Sequence, residues 1–194
     1  MADALETQQR SKSGFIRSYG MFWDAAEVDW RGEETRPHKE LLGRIGQRNP
    51  RLQVANFWKQ RGIYVLYNDH GPYYVGKTVG GGMTLGKRLS QHYLGLNGSP
   101  HRGKWTRFSW FGWHGTLKST DERGLQNLRA LPKKLLTDST HTVHDIESLL
   151  ICTLGTIHVG NAREEAFTAA ARWEQIWHHE RDHYLTKVES RLYA

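Results

Sequence analysis

The sequence predicts an α/β fold: a small, largely antiparallel sheet flanked by helices, with additions at both chain ends. Three stretches carry that expectation. Gly62-Ile-Tyr-Val-Leu-Tyr67 and Tyr73-Tyr-Val-Gly76 are β-branched and aromatic runs around a turn composition, Asn68-Asp-His-Gly-Pro72, and read as a hairpin. Residues 84–94 follow as a helix, with Thr84 as cap and Leu85, Leu89 and Tyr93 spaced four apart on one face. Val143 to Leu154 reads as a second helix, with Val143, Ile146, Leu150 and Leu154 as its apolar stripe.

The remaining elements follow in chain order. Residues 1–13 read as a loose tail, and the aromatic stretch 14–30 as a strand. Residues 31–38 form a polar connection, and Lys39 to Gly46 a short helix ended by glycine. After the hairpin and its helix, Asn97 to Lys104 is a Gly/Ser/Pro loop with basic and His residues, and Trp105 to Trp113 is a third strand. Residues 115–141 are polar and irregular, with a short helix around 124–131. From Glu164 to Leu192 a helical pattern runs through Trp173, Ile176, Trp177, Tyr184 and Val188.

A chain of 194 residues suffices for one domain with a real core. It contains no apolar run near the ~20 residues that span a bilayer. Its polar start lacks the apolar segment of a signal peptide, so a cytoplasmic location is expected. A single thiol, Cys152, sits in an apolar run and reads as a small buried hydrophobe.

The net charge is +7, and its distribution is uneven. Residues 71–120 contain no Asp or Glu but hold Lys77, Lys87, Arg88, Arg102, Lys104, Arg107 and Lys118. The flanks nearly balance, with eleven Lys/Arg against nine acids before residue 71 and nine against eleven after residue 120. The same segment is rich in Trp, Tyr, Phe and His, as a phosphate-binding surface would be. Charge alone fits a solvated basic face equally well.

Two motif matches are weak. Gly71 to Thr78 fits the phosphate-loop pattern GxxxxGK[ST], but its Pro-Tyr-Tyr-Val centre favours a strand and Val-Gly-Gly-Gly follows where a helix should start. His179-Glu180-Arg181-Asp182-His183 fits the zinc-protease pattern HExxH, but charges fill the positions an enclosed helix would make apolar, and Glu189 points the wrong way for a third ligand.

A third match is broader. Gly62-Ile63-Tyr64, nine residues, and Tyr74-Val75-Gly76 are followed by Lys77, Arg88 and His92 on the next helix, Glu147 on a later helix, then Asn161. This order resembles the GIY-YIG nuclease family over residues 61–161. The variant tripeptide YVG and the doublets Tyr73-Tyr74 and His92-Tyr93 are departures. The resemblance implies a nuclease core at 61–161, an N-terminal extension at 1–60 and a C-terminal helix, 162–194, packed on the core. It implies a GIY-YIG sheet and endonucleolytic hydrolysis of DNA. The site set would be Tyr64, Tyr74, Lys77, Arg88, His92, Glu147 and Asn161, with Glu147 holding Mg2+ or Mn2+. Tyr64 or His92 would deprotonate water, Arg88 would stabilise the transition state, and Tyr74 and Lys77 would orient the groups.

The residues fit those roles. A hairpin brings Tyr64 and Tyr74 close, at roughly 5 Å if they pair directly. Arg88 and His92 are four apart on one helix face, and Arg88 can hold phosphate oxygens in a fork. Glu147 lies on or beside the apolar stripe, where a carboxylate is costly to bury unless a cation accompanies it; a Glu reaching solvent from the stripe's edge is the equal alternative. Lys87, Arg102, Lys104, Arg107 and Lys118 are the expected DNA contacts. The compact chain resembles the restriction or phage-defence branch by fold-level analogy. The alternative is a GIY-YIG scaffold that holds nucleic acid without cutting. A homodimer stays open, and no membrane partner is expected.

Overall fold

The computed structural model describes residues 16–31, 39–48, 50–78, 82–129, 149 and 170–193. Val143 to Leu154 lies outside these residues except for Leu149, as do Glu147, Cys152 and Asn161.

The hairpin forms as its sequence demands. Strand β4 (Gly62–Asn68) pairs antiparallel with β5 (Gly71–Lys77), and β6 (Arg107–Gly112) lies on the other side of β4. Strand β1 (Ser18–Asp24) adds antiparallel to β6, and β9 (Ala171–Arg172) closes the order β5-β4-β6-β1-β9. Gly62 is required where β4 meets β6, because a Cβ there would collide with the carbonyl of Phe111. A second sheet has the order β10-β2-β3-β8-β7, from β2 (Leu42–Ile45), β3 (Gln53–Asn56), β7 (Gly115–Thr120), β8 (Gln126–Arg129) and β10 (Glu174–Gln175). Both sheets are mixed and largely antiparallel, which makes the fold α/β with additions from both chain ends.

Helix α1 (Leu85–Leu94) starts after Thr84, whose backbone is extended as a cap requires but whose hydroxyl bonds no helix amide. It ends on Gly95 in the left-handed conformation, where glycine is favoured. Helix α2 (Arg181–Glu189) follows a 3-10 turn at His178–Glu180.

Strand alternation sorts the core. One face of the first sheet sends Tyr64, Leu66, Phe108 and Trp110 against Leu85 and Leu89 of α1 and against Phe57 and Trp173. The other face carries Val65, Tyr67 and Phe111, against which Leu149 and Ala170 pack. The second sheet buries Leu42, Leu52 and Val54 with Tyr184 and Val188 of α2.

Three expectations are corrected. Lys39–Gly46 is no helix: Leu42–Ile45 pairs with β3 and β10, and Gly43 lies close against Phe57, Trp23 and the Glu174 carbonyl. In the described part of the polar stretch 115–141, residues 115–129, β7 and β8 form, so in place of the helix expected at 124–131 there is a strand over Gln126–Arg129. In 164–192, Trp173 and Ile176 belong to a stretch that joins both sheets, and only Arg181–Glu189 is α-helical among the described residues.

Candidate active site

The site lies where α1 crosses the β4–β5 hairpin. The strands do not set Tyr64 directly opposite Tyr74. Tyr64 faces Gly76 and Leu66 faces Tyr74, so the two phenols are diagonal neighbours on one face, with ring centres 6.2 Å apart. Gly76 has a steric role here, because a Cβ at that position would overlap the Tyr64 phenol. The last residue of the tripeptide is thus fixed by the first tyrosine of the pair.

Helix α1 supplies the opposing wall. His92 Nε2 lies 2.8 Å from the Tyr64 hydroxyl, and His92 Nδ1 lies 2.8 Å from Ser99 Oγ. Both Tyr64 and His92 are sealed from solvent, at 0% and 1% exposure. Arg88, one turn earlier on the helix, is partly exposed and donates to Gln91 Oε1 at 3.2 Å.

The loop after α1 adds His101. Its Nδ1 lies 3.2 Å from the Tyr73 hydroxyl, and its ring centre is 4.4 Å from that of Tyr74 and 4.6 Å from that of His92. Both Tyr73 and Tyr74 reach the same imidazole because β5 is irregular at this point, where the register with β4 shifts between Leu66 and Tyr67.

The electrostatics favour neutral rings. Burial pushes the Tyr64 phenol well above its ordinary value, and the neighbouring Arg88 only partly opposes that. Burial, then Arg88 and His101, lower His92 to about 4. Burial, then Lys104 and Arg88, hold His101 below its usual range. At neutral pH the cluster therefore combines the neutral Tyr64 phenol and the neutral imidazoles of His92 and His101 with one guanidinium.

Of the residues the sequence nominates, Tyr64, Tyr74, Arg88 and His92 come together. Lys77 is exposed and stands opposite Ile63, one residue past Gly76, on the other face of the strand pair. Glu147 and Asn161 lie outside the described residues. Lys87, Arg102, Lys104, Arg107 and Lys118 are all exposed. Lys87 stands on α1, and Arg102 and Lys104 stand on the loop that carries His101. Arg102 lines a groove of about 440 Å³ with Arg31, Tyr93 and Trp105. Arg107 borders another groove, of about 360 Å³, with Arg44 and Arg172, and Lys118 belongs to β7 of the second sheet.

His101, Ser99 and Tyr73 were not singled out by the sequence. The only signal was composition: a Gly/Ser/Pro loop carrying basic and His residues, and a tyrosine doublet. The phosphate-loop match is a strand, β5, and Thr78 Oγ1 accepts the Gly62 amide at 2.9 Å, tying the two strand ends together. His179 and His183 of the HExxH match are both exposed, the first on the 3-10 turn and the second on α2.

Residues 60–128 match the family model of the GIY-YIG catalytic domain. The match spans the hairpin, α1 and the His101 loop, and supports the GIY-YIG nuclease family for this segment. No curated protein and no solved structure matches the chain.

Proposed function

We propose that this chain is a GIY-YIG endonuclease that hydrolyses phosphodiester bonds in DNA. The observation that carries the reading is the convergence of Tyr64, Tyr74, Arg88 and His92 on one face of the hairpin, inside the matched segment. A phosphoryl transition state needs positive charge on its non-bridging oxygens, a route for the water's proton and oriented hydrogen bonds. Arg88 supplies the first. The phenol–imidazole cluster supplies the second, and Tyr74 at its partly exposed rim supplies the third.

The described part of the site offers phenol, imidazole and guanidinium groups. It has no grouping of three or more His, Cys, Asp or Glu placed to hold a metal among the described residues. A hard divalent cation takes carboxylate oxygens, so these residues alone do not fit one. We assign that ligand to Glu147, with Mg2+ or Mn2+ as the ion, on the strength of its place in the family order. Asn161 and Lys77 enter the reading on the same ground.

Lys87, Arg102, Lys104, Arg107 and Lys118 are the proposed DNA contacts, and the fold-level analogy points to restriction or phage defence in the cytoplasm. Among the described residues no helix is long and apolar enough to cross a membrane. The rival reading is a scaffold that binds nucleic acid without cutting it.

The deciding experiment is cleavage of plasmid DNA by the full chain with and without Mg2+ or Mn2+, beside Glu147→Gln. Metal-dependent cutting is expected from the wild type. The variant should fold, bind DNA and cut at least about 100-fold more slowly. Tight DNA binding by the wild type without cutting under any divalent ion would favour the scaffold. Rates within a few-fold of wild type in Glu147→Gln would remove that residue from the site.

A further inference from the structure

We propose that His101 is the group that takes the proton from the attacking water, with Tyr64 and His92 acting behind it. The inference rests on the nuclease reading and assigns a residue that reading did not contain.

Access is the first argument. The groups that the family resemblance nominates as base, Tyr64 and His92, are 0% and 1% exposed. They are also bonded to each other, and His92 uses its second nitrogen on Ser99. A water attacking phosphorus must touch both the phosphate and the base, at hydrogen-bond range of about 2.6–3.2 Å. Neither sealed ring can meet it without local opening. His101 is partly exposed and belongs to the same cluster, in ring contact with His92, Tyr73 and Tyr74.

Orientation is the second argument. Tyr73 meets His101 at Nδ1, which leaves Nε2 with no partner among the described residues. With Nδ1–H donating to the Tyr73 oxygen, Nε2 carries a lone pair. This is the tautomer a base needs, and the Tyr73 oxygen is available to accept the Nδ1 proton in it. Among the described residues, the charged and titratable groups facing the ring are Tyr73 and Tyr74 from β5, Arg88 and His92 from α1, and Lys104 from its own loop. With no acid among them, they favour the neutral ring, so the base is ready at neutral pH.

The step balances. The water oxygen forms a bond to phosphorus while its proton passes to His101 Nε2. The bond from phosphorus to the leaving sugar oxygen breaks, and that oxygen takes a proton from solvent. The imidazolium then returns its proton to solvent. Buried Tyr64 and His92 hold the rim in place through Tyr74 and Ser99, which makes them positioning residues in this scheme.

The test uses the full chain with Mg2+ on a defined DNA duplex. His101→Ala should fold, bind DNA and lose about 100-fold or more in cleavage rate. Added imidazole should restore part of that rate, because the truncated side chain opens a partly exposed site. His101→Gln keeps a hydrogen-bond donor for the Tyr73 oxygen but cannot carry the proton, and should stay slow with or without imidazole. The acid limb of the wild-type pH–rate profile should lie below the ordinary histidine value of about 6.5 and should follow imidazole itself in the rescued variant. Cleavage within a few-fold of wild type in either variant would overturn the proposal, as would a loss that imidazole leaves untouched in His101→Ala. A wild-type chain that cuts under no condition would overturn the nuclease reading itself, a result distinct from an active wild type with an active His101→Ala.

Discussion

Two polar clusters lie at helices of this molecule, and they are built on opposite principles. At α2, the buried carboxylate of Glu40 is gripped by two arginines: Arg181 donates Nε to Oε2 at 2.6 Å, and Arg123 stands 2.8 Å from Oε1 as an ion contact outside hydrogen-bond geometry. Opposite charges meet, and the cluster ties the second sheet's connections to α2. At α1, Arg88 faces phenols and imidazoles with no carboxylate among the described partners. One cluster is closed on itself. Among the described residues, the other leaves a cation whose charge is answered only by polar neighbours, ready for a phosphate. A charge-paired network serves stability, and one short of counter-charge is where an anionic substrate gains most.

The largest effect should come from the open cluster. Arg88→Lys keeps the charge but replaces a planar fork by a point charge. Cleavage should fall by about 100-fold or more while the melting temperature barely moves. A near-normal rate in this variant, measured at saturating DNA, would make Arg88 a solvated helix residue and dissolve the contrast.

The closed cluster should respond in the other currency. Glu40→Gln leaves two arginine side chains, 28% and 14% exposed, without their shared counter-charge. Breaking such a pair from one side costs about 3 kcal/mol. Urea unfolding should show that loss, while the cutting rate per folded molecule should stay within a few-fold of wild type. A variant that keeps its stability would mean that solvent replaces Glu40 as partner to both arginines.

The same two regions differ in how far their sequences spoke for them. The hairpin and α1 are local structures: β-branched runs around a turn, and Leu85 and Leu89 one turn apart, specify them within a few residues. Tyr64, Arg88 and His92 were therefore legible as a set. The second sheet is assembled from long-range pairs. Leu42–Ile45 has helix-like leucine spacing in Lys39–Gly46, and only β3 and β10 make it a strand. Strands β9 and β10 are two residues each, too short for any periodicity to register. His101 escaped for a related reason. Its position depends on the left-handed turn at Gly95, on Ser99 anchoring to His92 and on an irregularity in β5. None of these leaves a repeating pattern, and a histidine in a polar loop reads as solvent-facing until the fold returns it to the helix it left.

The smallest expected effect concerns acid, and it sharpens the comparison because, of the two clusters, only the open one holds a buried histidine, His92. His92 falls from 6.5 to about 4 in the folded chain, through burial first and then Arg88 and His101. The sign follows from linkage. A depressed folded value means that the unfolded chain binds the proton first as pH falls. The stabilisation is therefore complete above about 6.5, and it is lost progressively as pH drops toward the folded value. Between pH ~7 and ~5 this one group should cost about 2 kcal/mol, with the lowered His101 adding in the same direction. His92→Gln keeps a polar partner for Tyr64 and removes the titration. Its urea stability should be lower than wild type at neutral pH, where a fitted ring is lost, yet should decline less on acidification to pH ~5. The quantity to compare is the difference between the two slopes, since carboxylates elsewhere titrate equally in both proteins. Parallel slopes would mean that His92 already takes up its proton in the folded chain near pH 6–7, which requires a site more open to water than its 1% exposure allows.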